Sequence, residues 1–152
     1  MILRSPEETR ALGVQLGGML RAGDFVALIG ELGAGKTLLV RGTAEGAGAT
    51  GAASSPTFAL VNVYRGGHIV LQHLDLYRVS GPAELFALGF DDLLAEPAAT
   101  LCEWADRAGA ALPPERLEIH LDTIGPEQRR ATFVAHGPRA RELRDALAAP
   151  AP

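Results

Sequence analysis

Gly30-Glu31-Leu32-Gly33-Ala34-Gly35-Lys36-Thr37 follows the apolar run Phe25-Val26-Ala27-Leu28-Ile29 and matches the phosphate-binding pattern G-x-x-x-x-G-K-[ST] at each fixed position. The match has the setting its chemistry needs, a strand-forming run before it and a helix-forming run after it. Gly30, Gly33 and Gly35 permit close approaches and backbone conformations that a side chain would block, so successive N–H groups can converge on an anion. A helix starting near Lys36 adds the positive end of its dipole and its unpaired first-turn donors. Lys36 is then positioned to reach the β- and γ-phosphates of a nucleotide, and the Thr37 hydroxyl to ligate Mg²⁺. Lys36 is the only lysine in the chain, every other strong base being arginine. The position suits a compact ammonium that arginine cannot imitate.

The composition narrows the possibilities around that loop. A chain of 152 residues, 47% hydrophobic, is expected to form one domain over 1–152 and to bury about two-thirds of its unfolded surface. A net charge of −4 argues against nucleic acid held by bulk electrostatics alone, so any RNA would be held through a partner. Cys102, the single cysteine, has no internal disulfide partner, and no Cys/His spacing suits a metal, which points to a reducing cytoplasm. Arg4, Glu7, Glu8 and Arg10 interrupt the first apolar runs, so neither a signal peptide nor a membrane span is expected.

Taken in order, Ser5-Pro6-Glu7-Glu8 reads as a helix start, followed by Leu12, Leu16, Met19 and Leu20 at helical spacing and a turn at Gly23-Asp24. Residues 38–47 extend the phosphate-loop helix, which Gly46, Gly48 and Gly51 are expected to end. Ser54-Ser55-Pro56-Thr57 opens an alternating segment from Phe58 to Tyr64. Gly66-Gly67 then signals a hairpin into a second strand over 68–77, so this pair is expected to be antiparallel. Short helices are expected around 83–88 and 90–94, a strand over 99–102, and a second hairpin over 116–122 and 131–135 across Gly125-Pro126. An amphipathic helix over 139–149 presents Leu143 and Leu147 on one face. The fold class is therefore α/β, a P-loop NTPase-like three-layer arrangement. Its central sheet is mixed, carries antiparallel hairpins and is flanked by helices.

Hydrolysis needs acidic groups at neighbouring strand ends to fix Mg²⁺ and order the attacking water. Asp75 ends one apolar run and Glu103 another, and carboxyl ends of strands face the ligand crevice of open α/β sheets. Glu103 is favoured as the metal-side carboxylate, with Asp75 as an accessory; either could equally be a solvated strand end. Thr57, after the first loop-borne helix, is placed either to sense the γ-phosphate or simply to open a strand. His73 shares a strand face with Asp75 and reads first as a hydrogen-bonded structural group. Arg41, Arg78 and Arg130 are all candidates for an arginine finger, which a partner could also supply.

GELGAGKT, SPTF (55–58), HLDLYR (73–78), Glu84-Leu85 with Gly89-Phe90, and Glu103-Trp104 together resemble, in order and spacing, the bacterial threonylcarbamoyladenosine biosynthesis ATPase family, TsaE or YjeE. The resemblance implies a small Mg²⁺-dependent ATPase with low activity of its own. It would work with the partner proteins TsaB and TsaD, touch tRNA only through them, and leave the threonylcarbamoyl transfer to TsaD. It also implies that residues 33–38, including Ala34 and Leu38, hold ATP, that Thr37 and Glu103 serve Mg²⁺, and that Thr57 and Asp75 belong to the switch and metal neighbourhood. Trp104 resembles the family's functionally sensitive tryptophan; the plainer reading is a core or rim aromatic. Leu38 departs from the family by standing where a second hydroxyl is frequent, so only its backbone is expected to serve the phosphates. A free-standing small-molecule kinase is the alternative. It is disfavoured because residues 79–98, where a lid would lie, contain no arginine. A guanine-reading Asn-Lys-x-Asp is impossible with Lys36 as the only lysine and Asn62 as the only asparagine, so adenine is the expected base.

Overall fold

The computed structural model describes residues 1–55 and 60–149. Pro56, Thr57, Phe58 and Ala59 lie outside the described residues, and with them the expected switch hydroxyl and the start of the expected strand at Phe58.

Helix α1 (Pro6–Met19) begins as its first residues dictate. The Ser5 hydroxyl accepts the Glu8 N–H at 3.2 Å, and the Glu8 carboxylate returns to the Arg4 N–H at 2.6 Å. Leu12, Leu16 and Leu20 are buried, as their spacing requires. After the turn comes β2 (Phe25–Ile29), preceded in the chain by the two-residue edge strand β1 (Ile2–Leu3). The phosphate-loop helix is α2 (Lys36–Gly46). Its closing glycine serves packing as much as termination. A Cβ on Gly46 would lie 2.0 Å from the Val14 carbonyl oxygen of α1, and one on Gly42 would lie 2.2 Å from that of Arg10. The relation is reciprocal, because Gly13 and Gly17 of α1 would meet the Leu39 and Thr43 oxygens at 2.3 and 2.0 Å. Two helix backbones thus touch directly through four glycines, which seats α2 and the loop in front of it against α1.

The strands β3 (Gly51–Ser54), β4 (Val61–Arg65), β5 (Leu71–Asp75), β6 (Ala99–Glu103), β7 (Arg116–Thr123) and β8 (Arg129–His136) complete one sheet. Its order among the described residues is β1-β8-β7-β2-β6-β5-β4-β3. The centre, β7-β2-β6-β5, is parallel, and both flanks are antiparallel. The mixed sheet and both expected hairpins are therefore present. The first hairpin is shorter than its alternation suggested, because the second strand starts at Leu71. Gly51 does not end a helix but opens β3, which pairs with β4.

Helices cover both faces. Leu16, Leu39 and Val40 from α1 and α2, with Leu143 and Leu147 from α5 (Pro138–Ala148), pack on Val26, Leu28, Leu101 and Ile119. On the other face, Leu85 of α3 (Pro82–Ala87) and Phe90 and Leu93 of α4 (Phe90–Leu94) join Phe25, Ala27, Leu74 and Cys102. A 3-10 segment, Ala105–Ala111, packs its Ala105 and Ala108 into this second core. Central strands buried on both faces read as continuous apolar runs, which is why β2 and β6 were legible as strands without alternation. Among the described residues no helix is long and apolar enough to cross a membrane.

Candidate phosphate-binding site

Between β2 and α2 the chain needs two residues in the left-handed region, and glycine supplies both: Gly33 at φ 82° and Gly35, the residue before α2, at φ 101°. Gly30 answers to a different demand. A Cβ there would sit 2.6 Å from the Leu121 carbonyl oxygen, so the loop can leave β2 against β7 only without a side chain. Within the loop the Ala34 N–H donates to the Glu31 carbonyl at 3.0 Å.

Lys36 is only 4% exposed. Its ammonium donates to the carbonyls of Gly30 and Glu31 and lies 3.9 Å from the centroid of the Trp104 ring. Burial lowers its pKa below the ordinary lysine value, while the charges of Glu103, Asp75 and Asp106 work in the opposite direction. The Thr37 hydroxyl donates to Glu103 Oε1 at 3.1 Å. The other oxygen of that buried carboxylate accepts from His73 Nε2 at 2.5 Å. His73 therefore enters the site as the hydrogen-bonded partner of Glu103. Asp75 lies opposite Glu103 in the β5–β6 register and accepts the Tyr77 N–H at 3.0 Å.

Residues 32–38 with Asp75, Glu103 and Trp104 line a cleft of about 240 Å³. The structure thus brings together Gly33, Ala34, Gly35, Lys36, Thr37, Leu38, Asp75, Glu103 and Trp104. Gly30 lines instead an adjoining cavity of about 380 Å³, shared with Trp104, Asp106 and Leu121. Arg41, Arg78 and Arg130 line neither. Thr57 is outside the described residues.

The donor set suits a hard divalent ion that keeps most of its shell from water and phosphate. Thr37 and Glu103 offer a hydroxyl and a carboxylate oxygen side by side, and Asp75 adds a second acid nearby. Among the described residues no group of three His, Cys, Asp or Glu side chains is gathered to cage a metal. One or two protein oxygens are what Mg²⁺ takes when substrate phosphates supply the rest.

Trp104 lines the cleft and is half-buried, packing at the same time against the second core. At φ 56° it is the one non-glycine residue with positive φ among the described residues. Left-handed backbone costs an L-residue about 1–2 kcal/mol, so the surroundings must impose it. They consist of β6 before it, the 3-10 segment after it, and the Tyr77 ring 5.1 Å away. Neither this strain nor Arg129, whose guanidinium reaches the loop from β8, leaves a sign in the residue pattern. Its Nε donates to the Ala34 carbonyl and its Nη2 to that of Gly33, each at 3.1 Å.

The family model for threonylcarbamoyl adenosine biosynthesis protein TsaE matches residues 3–131. The chain belongs to that family. It is 38% identical over 143 residues to the tRNA threonylcarbamoyladenosine biosynthesis protein TsaE of Bacillus subtilis, covering 94% of this chain and 89% of that protein. The Streptomyces coelicolor TsaE is 41% identical over 137 residues, covering 86% and 92% respectively. In three dimensions the crystal structure of Bacillus subtilis YdiB superposes with a TM-score of 0.80 at 34% identity, over 97% of this chain and 91% of that one. With 34% identity over almost the whole length, the TsaE-family chain described here shares its fold with YdiB.

Proposed function

We propose that the chain is the Mg²⁺-dependent ATPase subunit of the machinery that forms threonylcarbamoyladenosine in tRNA, and that its nucleotide cycle drives TsaB- and TsaD-type partners. Membership of the TsaE family supports the biosynthetic role. The observation that carries the ATPase reading is the 3.1 Å contact between Thr37 and Glu103, beside a buried Lys36 at the mouth of a glycine loop.

In this reading the loop amides and the first turn of α2 bind the phosphates, and Lys36 exchanges its hydrogen bonds with the Gly30 and Glu31 carbonyls for β- and γ-phosphate oxygens. Thr37 and Glu103 would hold Mg²⁺, which when bound neutralises charge developing on the phosphates. His73 keeps the Glu103 carboxylate turned toward Thr37 by binding its far oxygen. Asp75, one strand over, orients water at the edge of the cleft. Adenine is the base, and threonylcarbamoyl transfer belongs to a partner.

Titrating MgATP into the purified chain and into Lys36→Ala tests the site: the parent should bind and turn over slowly, and the variant should keep its fold and do neither. Adding TsaB and TsaD should raise turnover. ATP hydrolysis by Lys36→Ala at the parent rate contradicts the assignment, and fast turnover indifferent to the partners contradicts the switch role.

A further inference from the structure

Arg129 stands at the start of β8, far from the phosphate-loop motif in sequence, and distributes its guanidinium over four backbone carbonyls. Nε reaches Ala34 at 3.1 Å and Nη2 reaches Gly33 at 3.1 Å. Nη1 holds Gly125 at 3.1 Å and Gln128 at 2.8 Å in the β7–β8 turn. The turn is itself closed by the Ile124 N–H on the Gln128 carbonyl at 3.1 Å. A fixed planar fork is therefore fastened on one side to the turn and on the other to two consecutive peptides of the loop. Only arginine has the donors to do both.

The consequence follows from peptide geometry. In a planar trans peptide the N–H points opposite to the C=O, so anchoring the Gly33 and Ala34 oxygens on Arg129 aims the Ala34 and Gly35 N–H groups away from it. The Ala34 N–H is then spent on the Glu31 carbonyl, which closes the loop turn. The Gly35 N–H, by the same geometry, points away from the guanidinium. A cation on the carbonyl also polarises the amide, which makes its N–H a stronger donor. We infer that Arg129 is a positioning residue for the phosphates: from behind the loop it fixes and polarises the Ala34–Gly35 peptide, so that a fixed positive charge acts on the bound anion through the backbone. This rests on the reading of the cleft as a nucleotide site and goes beyond it by assigning a group outside the motif.

The test measures MgADP and MgAMP-PNP affinity by calorimetry for the parent, Arg129→Ala and Arg129→Lys, with circular dichroism and thermal melts of the ligand-free chains. Arg129→Ala is expected to bind both nucleotides about tenfold more weakly or worse, the scale of one charge-assisted hydrogen bond. Arg129→Lys, which keeps the charge without the fork, should fall between. Added methylguanidinium should restore affinity to Arg129→Ala but leave the parent unchanged, a rescue that a general loss of stability would not show. Parent-like affinity in both variants overturns the inference while leaving the nucleotide site standing. A lowered melting temperature with unchanged affinity also overturns it. If Arg129→Ala fails to fold, Arg129→Lys decides alone: equal affinity to the parent refutes the role, and severalfold weaker binding supports it. A parent chain that binds no nucleotide removes the site reading itself, and this inference with it.

Discussion

Glu103 is the residue on which the proposed chemistry turns. It is buried at the end of β6 with one oxygen on Thr37 and the other on His73, so each oxygen already has a partner and a fixed direction. Glu103→Ala should lower Mg²⁺-dependent hydrolysis at least tenfold, about 1.4 kcal/mol of transition-state stabilisation, while changing nucleotide affinity less. Steady-state rates across a Mg²⁺ titration read this directly, and an unchanged rate would move the role to Asp75. Trp104 offers a second reading at the same scale. It is the only tryptophan and its ring faces the Lys36 ammonium at 3.9 Å, so phosphate binding that draws Lys36 away must alter its surroundings. Tryptophan emission is expected to shift on adding MgADP to the parent; emission indifferent to saturating nucleotide would show that Lys36 stays under the ring. That Lys36, Thr37 and Glu103 meet in one cleft was legible, because motif spacing and strand-end position are properties of sequence. Arg129 was not, since donating to backbone carbonyls of a remote loop leaves no pattern in the residues that accept.

The elements were legible where one face or both had to be buried, and less so where tertiary contact alone sets the outcome. Ser5, Pro6 and Glu8 announce α1, and β2 and β6 announce themselves as apolar runs. Edge strands β1 and β3 did not: two residues in one case and Gly-Ala-Ala-Ser in the other have little strand preference and are held by pairing with β8 and β4. Nor did the glycines of α1 and α2 reveal their purpose, because a helical glycine looks like a weak helix former until the second backbone is beside it. Gly17→Ala should destabilise the chain by about 3 kcal/mol or more, since its Cβ would fall 2.0 Å from the Thr43 oxygen and rigid backbone must move. Chemical denaturation checks this, and a variant as stable as the parent would mean the helices separate at little cost.

A carboxylate on β7 gives the sheet a pH signature. Glu118 accepts hydrogen bonds from Arg116 and from His120 and His136, each at 2.9 Å. Burial alone would raise its pKa, but the hydrogen bonds from His120 and Arg116 and the charges of Arg116 and His136 outweigh it and hold the carboxyl below the ordinary carboxylate range. A folded-state pKa below the unfolded one means that the stabilisation is complete above the unfolded value and is lost as pH falls through the folded one. Glu118→Gln should therefore melt earlier than the parent near neutral pH, with the gap closing below about pH 4. A gap that persists or widens in acid contradicts the assignment.

One sheet gathers the residues of the proposed reaction at one end. Parallel β2, β6 and β5 deliver the loop, Glu103 and Asp75 to adjacent strand ends, and the β7–β8 hairpin brings Arg129 up behind the loop. This plan is legible in the sequence because a phosphate loop implies a parallel centre and glycine turns imply antiparallel flanks. Contacts made across the sheet leave no such trace. In the proposed function the glycine loop before α2 holds a Mg²⁺-bound adenine nucleotide with Lys36 and Glu103 at its mouth. Calorimetric titration of MgAMP-PNP into the parent, Lys36→Ala and Glu103→Ala chains is the decisive measurement. One site per chain is expected in the parent, no detectable binding with Lys36→Ala, and binding that has lost most of its Mg²⁺ dependence with Glu103→Ala. Equal, Mg²⁺-dependent affinity in all three chains would contradict the proposed function.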